Sequence, residues 1–314
     1  MNLERLAREY LTHKQALGNQ YKSEGFVLRA FCKHLGDHQT DGITLEHLQD
    51  FLHAGCGSAD TVARKYGVIN GFSQYLSERH GIDLPILPTL PRNPALSSFV
   101  PYIYSHEELA CLIQAIEPTC QFGHVLIETH TMRAIVLLLY GAGLRRGEAF
   151  RLNRDDVDLD QAILTIRQTK FHKTRLVPMG KDLNDALTKY QECNDLLHTR
   201  CSTGPFFHMR KGGRIEQFPV QRLWRRLCQH ANIEREGGAR NQPRLHDLRH
   251  TAAVHRLIAW YRSGVDLNKL LPMLATYLGH GSIAGTQRYL TLTPELLQEA
   301  SQRFESYAFG GCHE

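Results

Sequence analysis

Residues 162–167 read AILTIR and residues 175–179 read RLVPM, two short apolar runs either side of the polar, basic segment 168–174, QTKFHKT. Short runs rich in Ile, Leu and Val around a polar turn have the pattern of a β-hairpin. This is the one clear extended signal in the 314 residues, with Phe206-Phe207 and Gly212-Gly213 marking a candidate second, shorter hairpin. Elsewhere the apolar residues recur at intervals of three and four, the spacing of one helix face. The sequence therefore predicts a mainly α fold with a small antiparallel β-hairpin sheet.

Upstream of the hairpin, residues 131–140 form a strong helical run, and Ser105-His106-Glu107-Glu108 has the form of a capping box before Leu109, Leu112 and Ile113. Downstream, the pattern is helical from Pro219 almost to the end. A last helix is expected after Thr293 and Pro294, with Leu296, Leu297, Ala300 and Phe304 as its apolar stripe. Five of the twelve prolines, at 85, 88, 91, 94 and 101, fall within 17 residues. Proline lacks an amide donor and disfavours helix in the residue before it, so residues 83–102 are expected to be an extended linker. It separates a helical domain, 1–82, from a larger domain, 103–314. The first domain carries four apolar sets: Leu3, Leu6, Ala7, Tyr10 and Leu11; Val27, Ala30, Phe31 and Leu35; Leu45, Leu48, Phe51 and Leu52 after Thr44 as N-cap; and Val62, Tyr66, Ile69, Phe72 and Leu76.

Composition excludes several classes. With 42% hydrophobic and 22% charged residues the chain is neither disordered nor fibrous. Its longest apolar stretch, residues 134–144, falls short of the roughly 20 residues a membrane-spanning helix needs. Eight cysteines without a Cys-x-x-Cys pair argue against a disulfide framework and a cysteine-rich zinc site. The first residues mix acids and bases at helical spacing, unlike a signal peptide, and the expected setting is the cytoplasm. Net charge is +5, yet residues 1–95 hold ten Lys and Arg against ten Asp and Glu, so the whole excess lies beyond them. Residues 210–249 alone hold ten bases against four acids. Clustered arginine suits a phosphate-rich partner, because the guanidinium fork pairs with phosphate oxygens.

Four local features carry candidate chemistry. In Gly141-Ala142-Gly143-Leu144-Arg145-Arg146-Gly147-Glu148 a glycine turn presents Arg145, with Glu148 spaced to hold its guanidinium. The hairpin tip carries Lys170, His172 and Lys173. Leu245-His246-Asp247-Leu248-Arg249-His250 sets His246 and Arg249 three apart. Finally, Leu278-Gly279-His280 is followed nine residues later by Tyr289.

In this order the four features resemble the tyrosine recombinases, the phage-integrase family. The matching pattern is Gly143-Leu144-Arg145-x-x-Glu148, a hairpin lysine before Arg175-Leu176-Val177-Pro178, Leu245-His246-x-Leu248-Arg249-His250-Thr251, then Leu278-Gly279-His280 and Tyr289. It covers about residues 100–300. The helical first domain fits the family's core-binding domain in size and position but carries no diagnostic motif.

The resemblance implies a site-specific enzyme that closes as a two-domain clamp on double-stranded DNA and works as a homo-tetramer on two sites, with no membrane, metal or ATP. Arg145 and Arg249 would grip the scissile phosphate and Tyr289 would attack it. His246 would take the phenolic proton, Lys170 would protonate the departing 5′-oxygen, and His280 would hydrogen-bond the phosphate or the nucleophile. Counting back from the strand favours Lys170, with Lys173 on the same tip; Phe171-His172 departs from the small turn usual in the family. Tyr277 and Tyr261 compete with Tyr289 as nucleophile. The final helix is expected to dock on a neighbouring protomer. Three rivals remain. A type IB topoisomerase shares the chemistry, and a silent DNA-binding protein shares the basic surface. A zinc peptidase would use His246 and His250 at helical spacing, but Arg249 puts a fixed cation beside such a metal.

Overall fold

The computed structural model describes residues 2–18, 21–36, 40–55, 59–90, 100–121, 125–167, 174–197, 203–238, 241–280, 282–291, 298 and 301. The chain divides into two compact units, one ending at Phe99 and the other beginning at Val100.

Among the described residues the first unit forms four α-helices, α1 (Leu3–Ala16), α2 (Lys22–Leu35), α3 (Leu45–His53) and α4 (Ala59–His80), with a 3-10 turn at Thr40–Gly42. α1 and α3 start where their apolar periods start, at Leu3 and Leu45, whereas α2 and α4 begin ahead of the first apolar residues of their sets, Val27 and Val62. The Asn2 side chain accepts a hydrogen bond from the amide of Arg5, and Thr44 makes a reciprocal capping box with His47. The apolar faces meet in a core of Leu6, Tyr10, Leu28, Phe31, Leu48, Phe51, Ile69, Phe72 and Leu76. Residues 81–90 have no regular secondary structure, as the prolines demand, yet Leu84 and Leu87 are buried on this same core. The first stretch of the expected linker is thus part of the helical unit.

The second unit opens with α5 (His106–Cys120), closed at its start by the Ser105–Glu108 capping box. The most buried element, α6 (Thr129–Gly141), follows, then the six-residue α7 (Arg146–Arg151). A three-stranded antiparallel sheet comes next: β1 (Val157–Asp158), β2 (Ile163–Ile166) and β3 (Arg175–Pro178), in the order β1-β2-β3. The β2–β3 register pairs Ile166 with Arg175 and Leu164 with Val177, so Leu164, Ile166 and Val177 line the buried face. α8 (Lys181–Leu197) then packs along α6. The second expected hairpin is reduced to a single bridge, His208 with Arg214, around Gly212 and Gly213 in left-handed conformation. α9 (Gln217–His230), α10 (Asp247–Arg262), α11 (Leu267–Leu278) and α12 (Ala284–Gln287) lead into a 3-10 turn, Arg288–Thr291. The main core surrounds α6, and a smaller cluster of Val254, Leu257, Leu271, Leu274 and Leu278 encloses the ring of Tyr289. Of the expected final helix only Gln298 and Ser301 are described, both helical; Leu297 and Phe304 lie outside the described residues, as do Lys170 and Lys173.

Candidate active site

The site is built where α6, α7, β3, α10 and α11 converge. After α6 the chain turns through Gly143 at φ 58°, a left-handed conformation in which an added Cβ would lie 2.9 Å from the Leu278 side chain. Arg145 is the N-cap of α7. Its own amide donates to Glu148 Oε2 at 2.9 Å and its Nη1 donates to Oε1 at 2.9 Å. Its Nη2 donates to the carbonyl of Gly279 at 2.6 Å, so one arginine joins the start of α7 to the end of α11.

Glu148 is the hub. Arg175, from β3, grips it with both Nη atoms, at 3.0 and 2.8 Å, while its Nε donates to the Tyr277 carbonyl at 3.1 Å. Burial pushes the Glu148 carboxyl up, but the hydrogen bonds and charges of Arg175 and Arg145 outweigh it and hold the group at about 2. Arg249, in the first turn of α10 and 2% exposed, donates to the carbonyls of Gly143 (2.8 Å) and Leu278 (2.7 Å) and lies 3.9 Å from Glu148. Burial and the neighbouring Arg145 lower its guanidinium to about 10. Two cations therefore sit side by side, held by one carboxylate and three main-chain carbonyls. Such an arrangement is preorganised for a doubly charged oxyanion.

Tyr289 is 2% exposed, and its hydroxyl lies 3.2 Å from Nδ1 of His250. The His250 ring is 5.2 Å from that of His246 and 5.6 Å from that of Tyr289, while the His280 ring is 5.9 Å from Tyr289. His280 Nδ1 is 2.7 Å from Thr286 Oγ1. His246 is half-buried at the start of α10; burial and then the charge of Arg249 push its imidazole down to about 4, so it is neutral at pH 7. A cavity of about 850 Å3 opens beside Arg145 and His246, lined further by Arg146, Gln221, Arg225 and Arg244.

Five expected site residues, Arg145, His246, Arg249, His280 and Tyr289, thus fall within this one region of the second unit; Lys170 lies outside the described residues. Of the competing tyrosines, Tyr277 directs its hydroxyl to the Pro178 carbonyl at 3.3 Å. The acid of the zinc-peptidase alternative, Asp247, is fully engaged by Arg244 at 2.8 Å and by that residue's amide at 2.9 Å. Arg175 enters the sequence pattern with no work assigned to it, and His250 has work only in the zinc-peptidase alternative. Arg175 is 27 residues from Glu148, and no local spacing connects the two.

The sequence pattern described as the phage integrase family matches residues 105–295. The chain belongs to this family. Among relatives of this tyrosine recombinase, a putative integrase/recombinase, y4rE, of Sinorhizobium fredii is 33% identical over 301 residues, spanning 94% of this chain and 93% of the relative. Tyrosine recombinase XerC of Syntrophus aciditrophicus is 28% identical over 257 residues, spanning 80% and 76%. Among solved structures, the Tn1549 transposon integrase in complex with transposon right end DNA matches with a TM-score of 0.66 at 15% identity, covering 99% of this chain and 100% of that one. A lambda integrase dimer bound to a COC′ core site matches with a TM-score of 0.65 at 17% identity, covering 94% and 97%. These likenesses establish the tyrosine recombinase fold, helical with a small antiparallel sheet, and the relatives make this chain a DNA recombination enzyme.

Proposed function

We propose that this recombinase cuts and rejoins double-stranded DNA at specific sites through a 3′-phosphotyrosyl intermediate, with neither metal nor ATP. The observation that carries the reading is the convergence of Arg145 and Arg249 over Glu148, next to a buried tyrosine. The two guanidinium groups bind the non-bridging oxygens of one phosphate and stabilise the charge of the pentavalent transition state. In place of the proton-accepting role that the resemblance implies for His246, its neutral imidazole donates to a phosphate oxygen, and His280, oriented by Thr286, donates to another. Tyr289 forms an oxygen–phosphorus bond as the bond to the 5′-oxygen breaks, and Lys170 protonates that leaving oxygen. A 5′-hydroxyl from a second duplex reverses the step with strands exchanged, so phosphodiester energy is conserved.

DNA crosses the basic cavity between Arg146, Arg225 and Arg244. The enzyme acts in the cytoplasm as a tetramer on two sites, each catalytic domain taking the final helix, with Leu297 and Phe304, from its neighbour. A lambda integrase tetramer bound to a Holliday junction is among the solved structures with this fold. The test is a nicked suicide duplex, its sequence selected from random DNA by binding to the Tyr289→Phe protein. Wild type is expected to give a denaturant-stable protein–DNA adduct, undiminished by EDTA, and Tyr289→Phe to bind equally well and give none. An adduct with Tyr289→Phe refutes the assignment of the nucleophile. Loss of the adduct on chelation with recovery on added zinc refutes the metal-free mechanism.

A further inference from the structure

Building on the strand-cleavage reading above, we propose that His250 is a further catalytic residue, its Nδ1 accepting the phenolic proton of Tyr289 as the tyrosine attacks phosphorus. Geometry comes first. The hydroxyl and Nδ1 are 3.2 Å apart, within reach for transfer, and the two rings stand 5.6 Å apart. The imidazole is also carried on a fixed backbone: its chain neighbour Arg249 is tied to the carbonyls of Gly143 and Leu278, which sets the first turn of α10.

Burial makes an acceptor necessary. An unperturbed phenol has a pKa of about 10, and at 2% exposure Tyr289 has almost no contact with solvent that could take its proton. His246 is poorly suited to that work. It faces Arg249, Arg244 and Arg146, and the same surroundings that lower it to about 4 favour an imidazole that donates to phosphate over one that retains an extra proton. The two histidines, one turn apart on α10, thereby divide the labour.

The step balances. As the acceptor, the His250 ring carries its single proton on Nε2. The Tyr289 O–H bond breaks, the proton moves to Nδ1 and the ring becomes an imidazolium. The phenolic oxygen bonds to phosphorus, the phosphorus–O5′ bond breaks, and the leaving oxygen receives a proton from the general acid. On rejoining, the imidazolium returns its proton to the phenolic oxygen.

The experiment is single-turnover adduct formation on the nicked duplex described above, with wild type, His246→Ala, His250→Ala and the near-isosteric His250→Gln. Each is prepared with tyrosine or with 2,3-difluorotyrosine, a more acidic phenol, at position 289. Both His250 variants are expected to bind the duplex normally by gel shift while forming adduct about 100-fold more slowly. Difluorotyrosine is expected to restore most of that rate in the His250 variants and little of it in His246→Ala. The inference is overturned if the His250 variants match wild type, or if they are slow and the acidic phenol gives no rescue, which makes His250 a packing residue. A wild-type protein that forms no adduct refutes the cleavage reading itself, and is distinguished by needing no variant at all.

Discussion

The arginine clamp and the tyrosine beside it are held by different means. Glu148, Arg145, Arg175 and Arg249 come from α7, β3 and α10, and their charged hydrogen bonds end on a buried carboxylate and on main-chain carbonyls of the two flanking helix ends. Tyr289 sits on a 3-10 turn after the four-residue α12, in a satellite of the core, with its hydroxyl against His250. Elements that short have no stability of their own and persist through packing. The half proposed to bind phosphate is fixed by charged hydrogen bonds, whereas the place of Tyr289 depends on how its ring packs. Stability should therefore reside in the first half, and a change in the second should act on chemistry with little effect on folding.

Glu148→Gln tests that division most severely. It leaves the Arg145, Arg175 and Arg249 cations clustered around a neutral amide, with Arg249 fully buried, and is expected to cost about 3 kcal/mol or more in urea unfolding at pH 7. The pH dependence has a definite sign. Folding lowers the Glu148 carboxyl from its ordinary 4.5 to about 2, so its contribution is fully present above pH 4.5 and is lost as pH falls towards 2. The difference between wild type and Glu148→Gln should shrink across that window and vanish near its lower end; a difference that stays constant from pH 5 to 2 would remove Glu148 from the hub.

Arg175→Lys keeps the charge but loses the two-pronged grip on Glu148 and the bond to the Tyr277 carbonyl. A loss of about 2 kcal/mol in stability is expected. If the clamp is aligned through Glu148, adduct formation should also slow at saturating DNA while the dissociation constant for DNA changes little. Weaker binding with an unchanged cleavage rate would instead make Arg175 a DNA contact. The smallest effect on folding belongs to Tyr289→Phe: it removes the hydroxyl that faces His250 and should shift unfolding by about 1 kcal/mol or less, although it is expected to abolish the adduct. A large destabilisation would mean that the hydroxyl anchors the end of the unit and that the contrast between the halves is false.

The sequence made the local devices legible. The Ser105 and Thr44 caps, the four apolar sets of the first unit and the β2–β3 pairing all follow from spacing over a few residues. β1 did not, since its two residues are too few for any period and are extended only because Leu164 and Ile163 lie opposite them. α7 was visible only as a glycine turn, because six residues make less than two turns of helix. In the site, Arg145 with Glu148 was readable at i,i+3, whereas the grip of Arg175 on Glu148 arises from tertiary packing of β3 against the start of α7. His250 lay inside a quoted motif, but helical spacing does not say which of two histidines one turn apart will meet a tyrosine 39 residues further on.

Arg145 and Arg249 are both anchored on main-chain oxygens, those of Gly143, Leu278 and Gly279. A main-chain acceptor persists whatever side chain its residue carries, so these bonds are insulated from most point substitutions. A saturation scan of positions 278 and 279 should accordingly register side-chain volume and backbone handedness while remaining nearly indifferent to polarity. At 279, where φ is 68° and an added Cβ would lie 2.8 Å from the Arg175 guanidinium, glycine alone should pass. The tolerance map of this active site would then look like that of an apolar core, although its purpose is to hold two positive charges.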